Sequence, residues 1–194
     1  MPTVGILGRD VEVKFMKGEG GTGDADRDQL VAGIKSMAAL IDRTDWPDVY
    51  RDAFGRMKGI TFFDGMIRVN GHQIERPCCD EDDAVFYWEI EEFMQNQDDD
   101  VRANTFFHDC WHVVQFHDAG FPDGDKERVW REVDATTHQI IVAKLLGCSD
   151  HETLHLEKFK NDQKAIIDRL NEGVRKKWGP QDHHVERKAK PVDD

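Results

Sequence analysis

Residues 10–16, Asp10-Val11-Glu12-Val13-Lys14-Phe15-Met16, alternate polar and apolar side chains, the two-residue period of a half-buried strand. From residue 27 the period lengthens. Leu30, Val31, Ile34, Met37, Ala38 and Ile41 recur at helical spacing and predict an amphipathic helix over 27–42. Thr44 or Asp45 can cap a second helix with Pro47 in its first turn, burying Val49, Tyr50, Ala53 and Phe54. That helix is expected to end between Gly55 and Gly59.

Over residues 60–75 the short period returns. Asp64-Gly65 and Asn70-Gly71 are strong two-residue hairpin signals, and with the apolar runs around them they predict a three-strand antiparallel meander. Arg76-Pro77 ends it. Residues 84–94, Ala84 to Met94, then read as a helix with an aromatic inner face. Three longer helical patterns follow. The first carries Phe106, Phe107, Val113 and Val114 and stops at Gly120-Phe121-Pro122. The second covers about 126–146, with Val129, Trp130, Val133, Ile140, Ile141 and Leu145 as its stripe and Gly147 as its stop. The third covers about 149–177, with Leu154, Phe159, Ala165, Ile166 and Leu170. Residues 179–194 are polar with two prolines and read as a frayed tail. The pattern as a whole predicts an α+β fold, mostly α, in one domain over 1–178.

The chain has 194 residues and a formal charge of −13. That balance disfavours nucleic acid and anionic membrane surfaces as partners. No apolar run approaches the roughly 20 residues of a membrane span. No basic-then-apolar leader opens the sequence, so a cytoplasmic address is expected, and export by a signal-less route would look the same. The four cysteines form neither a disulfide framework nor a C-x-x-C pair. Ten acidic residues lie within 77–101 without a Lys or Arg, most simply a solvated face.

Three motifs carry candidate chemistry. Gly18-Glu19-Gly20-Gly21-Thr22-Gly23 has the form G-x-G-x-x-G. Asp24, Asp26 and Asp28 crowd the place of a pyrophosphate and no βαβ pattern follows, so it reads as a loop. His151-Glu152-Thr153-Leu154-His155 is a literal H-E-x-x-H. Ser149 and Glu152, however, have capping-box spacing, and the surrounding residues are charged, so it reads as a helix start. The third is His108-Asp109-Cys110-Trp111-His112. Its two histidines are four apart, on one face of an apolar helix, where neutral imidazoles can bind one metal ion. The other reading of that pair is a core helix with hydrogen-bonded histidines.

The segment His108 to Gln115 resembles the active-site helix of the zincin metallopeptidases, in an H-D-x-x-H form. Glu132 with Ala135 is similar to the E-x-x-A pattern by which gluzincin-type families supply a third ligand. The resemblance covers about residues 100–147. It implies a zincin-like fold and Zn2+ held by His108, His112 and Glu132. It further implies Asp109 as the base that takes a proton from the attacking water, with a peptide or protein as substrate. A small sheet before the helix would hold an extended peptide at its edge. Asp134 and His138 lie on another face of the Glu132 helix and are spaced to pair with each other. Two further functions fit parts of the chain. His117-Asp118 looks similar to the dyad of HD-type metal-dependent phosphohydrolases. Asp109, one methylene shorter than the usual Glu, suits a catalytically inactive zincin-like binding protein. Oligomeric state is not legible.

Overall fold

The computed structural model describes residues 2–96 and 98–178; the polar tail of 179–194 lies outside the described residues, as do side chains beyond residue 171. Two strands, β1 (Thr3–Ile6) and β2 (Arg9–Lys17), open the chain. Helices α1 (Arg27–Arg43) and α2 (Asp48–Arg56) follow, then β3 (Gly59–Asp64), β4 (Ile67–Val69), β5 (His72–Ile74), β6 (Cys78–Asp80) and β7 (Val85–Glu89). Four helices complete the described chain: α3 (Ile90–Gln95), α4 (Asp99–Ala119), α5 (Asp125–Leu146) and α6 (Asp150–Trp178). The fold is α+β and mostly helical, as the periodicity predicts.

The sheet differs from the expected meander. Its order is β1-β2-β3-β7-β6. β2, β3 and β7 run parallel, and the edge strands β1 and β6 run antiparallel to their neighbours. Only β4 and β5 form the expected hairpin, around Asn70-Gly71, where both residues have positive φ. Asp64-Gly65 turns the chain out of the main sheet instead. β1 adds a hairpin that the polar–apolar pattern alone did not predict, closed by Leu7-Gly8 with both φ values positive. Residues 85–89 are a strand rather than the first half of a helix. Phe86 and Trp88 pack into the main core while Tyr87 packs on the opposite face. With both faces buried the strand loses its polar–apolar alternation, so its sequence mimics a buried helix.

One face of the sheet carries the main core. Val11, Val13, Ile60, Phe62, Phe86 and Trp88 meet Leu30, Ile34 and Met37 of α1, Phe54 of α2 and Phe106 and Phe107 of α4. Phe63 and Tyr87 point the other way, against Ile67 of the β4–β5 hairpin. Pro47 stands at the N-cap of α2 rather than in its first turn, and Thr44 bonds back to the Leu40 carbonyl. The stripes of the last two helices also shift. Trp130, Ile141 and Leu145 of α5 are exposed, and so are Leu154, Phe159 and Leu170 of α6. Val133 and Ile140 are buried as expected, and Ile140 and Ala143 meet Leu156 of α6.

The G-x-G-x-x-G loop has a structural occupation. Gly18 N–H donates to the Asp64 carbonyl at 2.7 Å and Glu19 N–H to the Met66 carbonyl at 2.7 Å. Gly23 N–H donates to the Asp64 carboxylate at 2.7 Å, helping to hold that carboxyl below its usual range. A Cβ on Gly21 would fall 2.2 Å from the Asp64 carbonyl oxygen. The glycines let two backbones touch, and no phosphate is needed to explain them.

α4 and α5 form a helical hairpin that sets up the site. Gly120 ends α4 with φ 72, and Gly147 ends α5 in the left-handed region with φ 81. Contacts His108–Gln139, Trp111–Asp134 and Gln115–Arg131 rise along one helix as they fall along the other, so the two run antiparallel. Ala135 is fully buried and small, which permits close approach of the pair. No helix among the described residues is long and apolar enough to cross a membrane.

Candidate metal centre

His108 and His112 project from one face of α4 toward Glu132 in the second turn of α5. Their Nε2 atoms are 3.0 Å apart. Glu132 reaches both, with Oε2 at 3.3 Å from His108 Nε2 and Oε1 at 3.4 Å from His112 Nε2. The three residues predicted as ligands therefore converge, and they are the one group of three or more metal-binding side chains brought together among the described residues. A tetrahedral zinc with bonds of about 2.0–2.1 Å separates its donors by about 3.3–3.4 Å, so the spacing fits such an ion.

The protonation of the imidazoles follows from their partners. Gln139 Nε2 donates to the Asn104 carbonyl at 3.3 Å. Gln115 Nε2 donates to the Arg131 carbonyl at 3.0 Å and to Asp134 Oδ2 at 2.9 Å. With each amide nitrogen committed, each amide oxygen faces a histidine. Gln139 Oε1 lies 3.0 Å from His108 Nδ1, and Gln115 Oε1 lies 2.8 Å from His112 Nδ1. An amide oxygen only accepts, so both Nδ1 atoms must donate. The neutral tautomers then leave both Nε2 lone pairs aimed at one point, beside a carboxylate. Such a point demands a cation, and this is the arrangement by which outer residues orient metal-binding histidines.

A proton can meet the same demand. Burial opposes a charge on His112, but the Glu132 carboxylate outweighs it and raises the imidazole to about 9. Burial likewise works to raise Glu132, and the hydrogen bonds to His108 and His112 reverse it, holding the carboxyl well below its usual range. The two shifts describe one tightly coupled acid–base cluster.

The three side chains open onto a cleft of 310 Å³. Asp109 lines it, half-buried beside the two histidines. Burial pushes its carboxyl up to about 6, against the lowering influence of His108 and His112. The far wall is β6 and the turn after it. Here stands Glu81, which sequence reasoning missed. Burial raises its carboxyl, while His112 and Arg131 pull the other way. Glu81 sits in an acidic run, and only the antiparallel pairing of β6 with β7 brings it to the cleft. Arg128 and Arg131 of α5 complete the opposite wall.

The remaining candidates fall elsewhere. His151 and His155 are exposed on α6, and Glu152 N–H donates to the Ser149 hydroxyl oxygen, its cap, at 3.2 Å. His117-Asp118 lies at the C-terminal end of α4, where Asp118 is 3.8 Å from Arg56, and the pair joins no metal-binding group among the described residues. Asp134 and His138 pair with each other at 3.7 Å, as their spacing predicts. Asp134 also accepts from Trp111 Nε1 at 2.8 Å, which ties it to the site through Gln115. Comparison with protein-family models, with curated proteins and with solved structures gave no match for this chain.

Proposed function

We propose that the protein is a zinc-dependent hydrolase of the zincin-like type, acting on peptide bonds. The observation that carries this reading is the convergence of two Nε2 lone pairs and the Glu132 carboxylate, each imidazole locked from behind by a glutamine. His108, His112 and Glu132 would hold the ion. When bound, zinc supplies Lewis-acid polarisation of the scissile carbonyl and activation of water.

The chain's own residues supply the rest. Gln139 and Gln115 keep the ligand tautomers fixed. Asp109, which lines the same cleft, accepts the proton that the attacking water loses. β6 is an edge strand beside the cleft, so its outer side can pair with an extended peptide backbone. A second reading has its own observation: Asp109 reaches one methylene less far than Glu would, which suits a protein that keeps the metal and binds a partner without cleaving it.

Elemental analysis of protein purified without chelator is the first test, with one zinc per chain expected. Cleavage of a mixed peptide library by the zinc-loaded chain is the second. A chain that acquires no stoichiometric divalent metal would overturn the metal reading. Tight zinc without cleavage would favour the binding protein.

A further inference from the structure

Two arginines of α5 line the cleft, and their circumstances differ. Arg131 is committed to the fold. Its Nη1 donates to the Gly120 carbonyl at 2.6 Å, its Nη2 meets Glu127 at 2.8 Å, and its side chain is only 12% exposed. These bonds tie the α4–α5 link to α5. The Arg128 side chain makes no hydrogen bond or ion pair among the described residues, and it is exposed. It precedes Glu132 by four residues, so it stands on the same face of α5, one turn toward the helix N-terminus. The opposite wall is acidic, with Glu81 facing the site. Glu81 thus stands on the β6 side of the cleft, and on the α5 side Arg128 is the cation without an internal partner among the described residues.

We infer that Arg128 is a substrate-anchoring residue that holds a carboxylate of the substrate while the bond to be cleaved lies over the His108–His112–Glu132 centre. This rests on the metal-hydrolase reading and names its substrate class: peptides bearing a carboxylate a short span from the scissile bond. A guanidinium is always charged and presents a planar fork that matches a carboxylate in two parallel hydrogen bonds. Its side chain gives up no internal partner to do so. The acidic wall would turn the same carboxylate away from the β6 side, so the two walls together set the direction in which the substrate lies.

The test needs no turnover. Succinic, glutaric and adipic monohydroxamates carry a zinc-binding group and a carboxylate at increasing span, and their methyl esters are neutral counterparts. Their binding to the zinc-loaded protein is measured by calorimetry. At least one acid should bind about 10-fold or more tighter than its ester, as expected for a charge-assisted pair. R128Q should abolish that preference and leave ester affinity and zinc content unchanged. Equal binding of every acid and ester, or a preference that survives R128Q, would overturn the inference. Zinc-loaded protein that binds neither class would overturn it as well, since the metal would then be out of reach of the cleft. A chain without zinc would instead overturn the metal reading beneath it. Peptide hydroxamates with the carboxylate at the C-terminus or on an acidic side chain then separate the two sources of the group.

Discussion

Gln115 stands between His112 and Asp134: its Oε1 meets His112 Nδ1 at 2.8 Å and its Nε2 meets Asp134 Oδ2 at 2.9 Å. Gln139 performs the same service for His108 from the other helix. Losing either amide frees its imidazole to rotate or to take the other tautomer. Q115L and Q139L should therefore weaken zinc binding by about 10–100-fold each, the usual effect of removing an outer hydrogen bond to a metal-binding histidine. Competition against a chromophoric chelator measures this. Native affinity in both variants would show that the tautomers need no lock.

The elements that the sequence made legible are those whose signal is local. α1, α4 and α5 follow from apolar spacing, and the ends of α4 and α5 from Gly120 and Gly147. The pairing of His108 with His112 follows from spacing alone, and Glu132 was singled out by its resemblance, with Ala135, to the E-x-x-A pattern. The strand order was not legible, because β3 lies between β2 and β7 and its partners are far away in sequence. Val85 to Trp88 read as helix because both of its faces are covered. Glu81 and Arg128 were missed because nothing local marks them. Each reaches the cleft only through tertiary packing.

Of the three proposed ligands, Glu132 is the one whose loss should be felt most. E132Q preserves shape and removes the charge that balances the ion, so zinc should be lost on dialysis against a weak chelator. D134N acts only through Gln115 and Trp111, and a milder loss of up to about 10-fold is expected. Metal analysis of both variants checks the order. If D134N strips zinc while E132Q retains it, the assignment of the third ligand is wrong.

The glycine loop offers a prediction about stability rather than chemistry. G21A would drive a Cβ to 2.2 Å from the Asp64 carbonyl, a backbone atom that cannot swing aside. The loop must lift from β3 and β4, giving up the bonds of Gly18, Glu19 and Gly23. A loss of about 1–3 kcal/mol is expected, read from chemical denaturation. A neutral result would mean that the loop is not clasped in solution.

The literal H-E-x-x-H on α6 should be silent. His151 and His155 are exposed, and no third metal-binding side chain joins them among the described residues. The double variant H151A/H155A should keep native zinc content and affinity. Loss of the metal in that variant alone would move the site to α6.

Asp109 decides between the two functional readings. It lines the cleft with the histidines, and the His108 and His112 imidazoles work against the raising effect of its burial. If it is the base, D109N should retain zinc and lose about 10²–10⁴ in kcat, the range that general-base catalysis contributes. D109E extends the carboxylate by one methylene. In a hydrolase limited by the reach of its base, D109E should match or exceed the native rate. If the native protein, D109N and D109E all hold zinc tightly and none cleaves any peptide in a broad library, the cleft serves binding. The carboxylate at position 109 is then part of a recognition surface rather than a proton acceptor.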